Sequence, residues 1–212
     1  MSDPRPVDTP YGPGRLHVHA ARRPLASLLL SHGAGNGVES RDLAALAGAL
    51  PRQGFTVALF EQPWRVAGKK IASAPPTLDV GLEAAARVLA PRGPLVVGGR
   101  SAGARSAARC AVRLAAVGCL ALSFPLHPPG RPERSRLSEL TGSGVPTLVV
   151  QGERDSMGRP EEFPEDTDLA VVPAADHGLK VPAGGPLSQP EALALVVEVT
   201  LEWLVREVTG NP

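Results

Sequence analysis

Residues 95–104 read Leu95-Val96-Val97-Gly98-Gly99-Arg100-Ser101-Ala102-Gly103-Ala104. An apolar run ends in Gly-x-Ser-x-Gly, and an Ala-rich stretch expected to be helical follows from Ser101 through Val117. Strand, tight turn and helix are the context in which this pattern forms a nucleophile elbow. The reason is steric. The turn holds the serine in a strained backbone conformation, and the flanking glycines let strand and helix approach closely. The Ser101 hydroxyl is then expected above a sheet at a helix N-terminus. There the Ala102 N–H and the helix dipole face any negative charge that develops. The five residues alone say little, because Gly and Ala are abundant in this chain; the placement carries the reading.

Other segments of the same two kinds lie on either side. Leu25–Ser31, Thr56–Phe60, Cys119–Ser123, Pro146–Gln151 and Leu169–Val172 are strand-length apolar runs, as is Leu95–Gly98. Runs apolar on both faces belong inside a parallel sheet covered on both sides. Between them lie helical patterns. Ser40 is expected to cap a helix carrying Leu43, Leu46, Ala47 and Leu50, with Pro51 ending it. Leu78, Leu82, Ala85 and Leu89 repeat the spacing after Pro75-Pro76. Arg105, Arg109 and Arg113 recur every fourth residue and read as a solvated stripe. Ser188 with Glu191 three residues on forms a capping box for a last helix through Leu193, Val196, Val197 and Leu204. The alternation predicts a doubly wound, mostly parallel α/β sheet flanked by helices. Arg15–Ala20 is expected as an antiparallel edge strand, and residues 1–14 as an irregular segment of a single domain spanning 1–212. Long connections at 61–76, 125–145 and 152–168 lie where ligands bind in such sheets, and none is large enough for a lid domain.

Composition excludes several classes. At 212 residues the chain can bury roughly 70% of its unfolded surface and needs no covalent staples. Its 22 basic and 21 acidic residues give no electrostatic reason to expect nucleic acid or an anionic membrane as a partner. Aromatics make up only 3%, too few for a stacking platform for bases. Cys110 and Cys119 are the only cysteines, which excludes a disulfide scaffold and points to a reducing, cytoplasmic compartment. The polar, Pro-rich stretch Met1–Pro13 does not read as a signal peptide, and no apolar run is long enough to span a bilayer.

A serine nucleophile needs a base. His177, in Ala175-Asp176-His177-Gly178, follows the run Leu169–Val172. Asp155, in Gly152-Glu153-Arg154-Asp155, follows Pro146–Gln151 and can orient a histidine on the neighbouring loop. Read singly, each is an ordinary loop or turn residue. Together, the chain order Ser101, Asp155, His177 is that of the α/β-hydrolase triad, with each member at a strand's carboxyl end. The loop His32-Gly33-Ala34-Gly35-Asn36-Gly37 is placed to supply a second oxyanion donor, Ala34 first and Gly35 second, beside Ala102. It lacks the endings of a phosphate-binding loop. His32 is read as ordering it. No His/Cys cluster has zinc spacing, so no metal and no cofactor is assigned.

Arg100 sits beside the serine, and Trp64, Arg65 and His127 lie in loops at the strand ends. Arg65 or His127 could bind a substrate carboxylate or phosphate. The structural alternative has Arg65 tying its loop down and His127 as an ordinary loop residue. Trp64 either lines the pocket or packs beneath its loop. Cys110 is read as a small buried residue.

The segments Leu30-Ser31-His32-Gly33-Ala34-Gly35, Phe60-Glu61-Gln62-Pro63-Trp64-Arg65, Gly98–Gly103, Phe124-Pro125-Leu126-His127-Pro128-Pro129-Gly130, Val150–Asp155 and Ala175-Asp176-His177 together resemble one group. It is the small α/β-hydrolases related to dienelactone hydrolases, in the branch with testis-expressed and histone-acetyltransferase-complex homologues. The resemblance runs from Ser31 to the last helix. It implies a lidless α/β-hydrolase fold and a Ser-His-Asp site, with Ser101 standing where dienelactone hydrolases carry cysteine. The expectation is a serine hydrolase acting through an acyl-enzyme on a small ester or thioester. Acyl transfer or peptidase chemistry at the same triad, and a non-catalytic interaction module, are the alternatives.

Overall fold

Among the described residues eight strands share one sheet, whose central members are apolar runs that bury both faces at once. The structure is a computed structural model describing residues 3–210. The strands are β1 (Arg5–Val7), β2 (Gly14–His19), β3 (Ala26–Ser31), β4 (Phe55–Glu61), β5 (Leu95–Arg100), β6 (Gly118–Leu122), β7 (Thr147–Gly152) and β8 (Asp168–Val172). Their order is β1-β2-β4-β3-β5-β6-β7-β8. From β4 to β8 every neighbouring pair is parallel, while β1–β2 and β2–β4 are antiparallel.

The helices are α1 (Arg41–Ala49), α2 (Pro63–Val66), α3 (Pro75–Leu89), α4 (Ala102–Cys110), α5 (Leu137–Thr141) and α6 (Gln189–Leu204). Alternate strand residues feed two large cores, and Ala121 and Val149 join a smaller third cluster around Phe124. Leu28, Leu30, Val57, Val96 and Leu120 pack with Leu43, Leu46, Val196 and Trp203 of α1 and α6. Leu29, Ala58, Phe60, Val97 and Cys119 pack with Leu82, Ala85 and Ala107 of α3 and α4. Helices on both faces explain why the central strands read as continuous apolar runs. No helix among the described residues is long and apolar enough to cross a membrane.

Several boundaries differ from the sequence expectation. The N-terminal segment is not irregular throughout: β1 pairs with β2 and buries Val7, while Met1 and Ser2 lie outside the described residues. β2 is antiparallel as expected but is not the edge, because β1 covers it. Ser40 occupies the N-cap position of α1 without bonding through its hydroxyl. α1 stops at Ala49 with Leu50 as its C-cap, just ahead of Pro51, which sits in the first turn of a 3-10 segment, Leu50–Gln53, that closes at Gly54. Pro75-Pro76 open α3, where missing N–H groups cost nothing. The capping box at Ser188 and Glu191 forms.

α4 is shorter than the Ser101–Val117 stretch, because the chain turns back at Ala115 (φ 49°) to enter β6. Tertiary connection overrides alanine's helix preference there. The arginine stripe is solvated only at its end. Arg105 and Arg109 are largely buried and paired with Glu139 and Asp79, whereas Arg113 meets Glu83 at the surface. Cys110 and Cys119 are buried.

Candidate active site

Ser101 is the single residue between β5 and α4. Its φ of 53° and ψ of −113° lie in a sparsely populated region, which costs about 1–3 kcal/mol and persists only where the surroundings impose it. Here they do. Ser101 N donates to Leu122 O at 2.9 Å. A β-carbon on Gly99 or on Gly103 would collide with the Ser31 carbonyl oxygen, so both positions need glycine for the strand and helix to meet.

Asp155 follows β7 and His177 follows β8, as the sequence places them. His177 Nε2 lies 3.0 Å from Ser101 Oγ, and Nδ1 lies 2.7 Å from Asp155 Oδ2. Because the carboxylate only accepts, Nδ1 carries the proton and Nε2 is free to accept from the serine hydroxyl. Asp155 is fully buried, and further donors hold it: Gln151 Nε2 at 2.9 Å to Oδ2, and Met157 N at 2.8 Å to Oδ1. The imidazole is a quarter exposed and Ser101 partly so, which leaves the site open at the carboxyl ends of the strands. Such a chain can take the hydroxyl proton as Ser101 attacks an electrophilic carbon.

The loop after β3 runs against the elbow. A β-carbon on Gly33 would sit 3.3 Å from both Arg100 O and Ser101 Cβ. His32 orders this loop. Its Nε2 accepts from Gln62 N at 3.1 Å, and its Nδ1 donates to Gly33 O at 2.8 Å. Burial pushes its pKa down, so the ring stays neutral, in keeping with one donor and one acceptor. Ala34 and Gly35 are exposed on the same loop, and nothing crowds a β-carbon at Gly35. Ala102 is the first residue of α4, whose N–H has no partner within the helix.

The remaining predicted residues are engaged elsewhere. Arg100 is buried; its Nε donates to Asp42 Oδ2 at 2.8 Å and its Nη2 to His177 O at 2.8 Å. Arg65 bonds Glu39 at 3.1 Å and ties its loop down. His127 donates from Nδ1 to Pro128 O and from Nε2 to Glu162, and these bonds raise its pKa and use both nitrogens. Trp64 is buried, its ring centroid 5.4 Å from that of His32 in an edge-on arrangement, and it packs beneath the loop. Sequence reading missed Gln151, Gln62 and Asp42. A polar residue closing an apolar strand marks Gln151. Nothing local marks Asp42, whose partner lies 58 positions away.

A family model described as an alpha/beta hydrolase domain matches residues 24–205. Solved structures of similar fold include an alpha-beta serine hydrolase homologue from Coxiella burnetii, at 16% identity and TM-score 0.73, covering 93% of this chain and 97% of that one. A serine hydrolase without a lid from Xanthomonas campestris matches at 20% identity and TM-score 0.69, over 96% and 95% of the two chains. A dienelactone hydrolase from Anabaena variabilis matches at 16% and 0.69, over 98% and 100%. Among curated proteins none matches the sequence.

Proposed function

The chain belongs to the alpha/beta hydrolase domain family, and on that premise we propose that it is a serine hydrolase cleaving a small ester or thioester. The observation that carries the reading is the hydrogen-bonded line Ser101–His177–Asp155 at the carboxyl edge of the sheet. Ser101 Oγ attacks the acyl carbonyl carbon while its proton passes to His177 Nε2. Asp155 fixes the imidazole tautomer and stabilises the imidazolium. The N–H groups of Ala102 and Ala34 receive the oxyanion, each worth about 3–4 kcal/mol in the transition state. Collapse breaks the bond to the alcohol or thiol, which leaves with the proton from His177. Water, deprotonated by the same nitrogen, then attacks the acyl-enzyme and releases the acid.

No metal or cofactor enters these steps. The open, loop-bordered site favours a substrate of modest size, and eight strands in one sheet support treating the whole chain as one domain. Kinship to the testis-expressed and histone-acetyltransferase-complex branch rests on the motif segments alone and is part of this proposal.

A fluorophosphonate probe tests the assignment directly. Stoichiometric labelling of Ser101, with loss of p-nitrophenyl ester hydrolysis by about 10⁶-fold in Ser101→Ala, is the expected result. An inert serine in folded protein would overturn it and leave the interaction-module reading.

A further inference from the structure

Arg100 and Asp42 form a buried ion pair that the chemistry above does not use: neither side chain meets the serine, the imidazole or the carboxylate of Asp155. Asp42 is wholly buried and Arg100 only 5% exposed. Burying two charges is costly, and such a pair is seldom the most stable filling for its volume. Its location is informative. Arg100 immediately precedes Ser101. Asp42 lies in the first turn of α1, the helix that the His32–Gly37 loop leads into. From the Asp42 contact the guanidinium reaches on to the carbonyl of His177. The space beside Gly33 is also occupied by this side chain, with Nη1 3.7 Å from where a β-carbon would stand. One planar fork thus belongs to the segment of the proposed nucleophile, bonds the backbone of the proposed base and lies beside Gly33 of the loop that carries the proposed oxyanion donor.

Asp176 Oδ1 accepts from Gly178 N and Lys180 N within the His177 loop, and among the side chains of the described residues only Arg100 bonds the His177 carbonyl. Ala174 and Leu179 both have left-handed φ, at 56° and 48°, so the loop sits in a conformation its own residues do not favour. The bond from Arg100 is made at the backbone of the histidine itself. We propose that Arg100, oriented by Asp42, is a positioning residue that fixes the His177 backbone so that the imidazole spans Ser101 and Asp155. This rests on the serine-hydrolase reading for its kinetic consequence, but not for its geometric one. Arginine suits the task because its fork presents separate donors to Asp42 and to His177 O, whereas a lysine ammonium is a single point.

The experiment compares wild type, Arg100→Lys and the double variant Arg100→Met/Asp42→Leu, with Ser101→Ala as control. Hydrolysis of p-nitrophenyl butyrate gives kcat and KM, and ¹H NMR follows the downfield His177 Nδ1 proton. Replacing both charges together avoids leaving either one buried without its partner. The double variant is expected to lose kcat about 100-fold, as a displacement of about 1 Å would cause. KM should stay within about three-fold, since a folded site still binds substrate. Its Nδ1 proton should broaden away. Arg100→Lys should fall about ten-fold and keep a weakened resonance, since it satisfies only one of the two acceptors.

A pair that merely glues α1 to the sheet would change the melting temperature and leave kcat and the imidazole resonance alone; that result overturns the proposal. Should the double variant fail to fold, wild-type kcat and resonance in Arg100→Lys would overturn it equally. The resonance needs no turnover. If the wild type proves inert, or Ser101→Ala retains activity, the hydrolase reading fails while the positioning of His177 is still decided by NMR.

Discussion

Gln151 Nε2 donates to Asp155 Oδ2 at 2.9 Å, to the same oxygen that receives His177. The amide also reaches Phe124 O and Gly158 O, so one buried side chain braces the end of β7 and the turns on either side. Gln151→Leu would orphan buried acceptors, at about 1–3 kcal/mol of stability. Urea denaturation should show that loss, and kcat/KM should fall beyond what the unfolded fraction explains. A variant as active as wild type would remove Gln151 from the site.

Asp155→Asn preserves shape but offers an amide N–H to His177. The imidazole then turns its acceptor toward residue 155 and its proton toward Ser101. Under the proposed mechanism kcat should drop by about 10⁴-fold with little change in melting temperature. Steady-state kinetics on p-nitrophenyl esters would measure it.

Gly103→Ala puts a methyl group against the Ser31 carbonyl, where backbone meets backbone and nothing can swing aside. The prediction is a destabilisation of about 1–3 kcal/mol from overpacking, with loss of probe labelling at Ser101 as the elbow is pushed out of shape. Gly35→Ala is the contrast, because open space surrounds it; calorimetry should find its stability unchanged.

Burial alone would raise the Glu139 pKa, but Arg105 and Arg109 outweigh it and hold the carboxyl below its ordinary value. A carboxylate with a lowered folded pKa stabilises the fold fully above its unfolded pKa, and that stability is lost as pH falls through the folded value. Glu139→Gln should therefore narrow the stability difference from wild type as pH drops below about 4.5, and show its full deficit at pH 7. Thermal melts across that window measure it.

Cys110 and Cys119 are buried, and desolvation pushes both thiols up to about 12. With almost no thiolate at pH 8, neither should react with an aromatic disulfide reagent in the native protein, and both should react in denaturant. Prompt labelling of folded protein would contradict the packing described around α4 and β6.

The sequence alone determined the sheet-and-helix class, because apolar periodicity is a local property: a run that is apolar throughout must be covered on both faces wherever it lies. The Gly-x-Ser-x-Gly turn between an apolar run and a helix was legible locally, whereas the contact that makes Gly99 and Gly103 obligatory, the Ser31 carbonyl at the end of β3, comes from tertiary structure. The order Ser101, Asp155, His177 was legible because each residue lies in the turn or loop that follows its strand. Tertiary structure decided the rest. Whether Arg100 faces substrate or Asp42 depends on a partner on another helix, and whether Arg105 and Arg109 are solvated depends on Asp79 and Glu139 arriving from α3 and α5. The extra strand β1 exists because β2 left an edge to pair with, and three residues carry too short a pattern to announce it. Long charged side chains can satisfy themselves in water or in an ion pair equally well, so their own sequence neighbourhood does not choose; only the surfaces that folding brings together do.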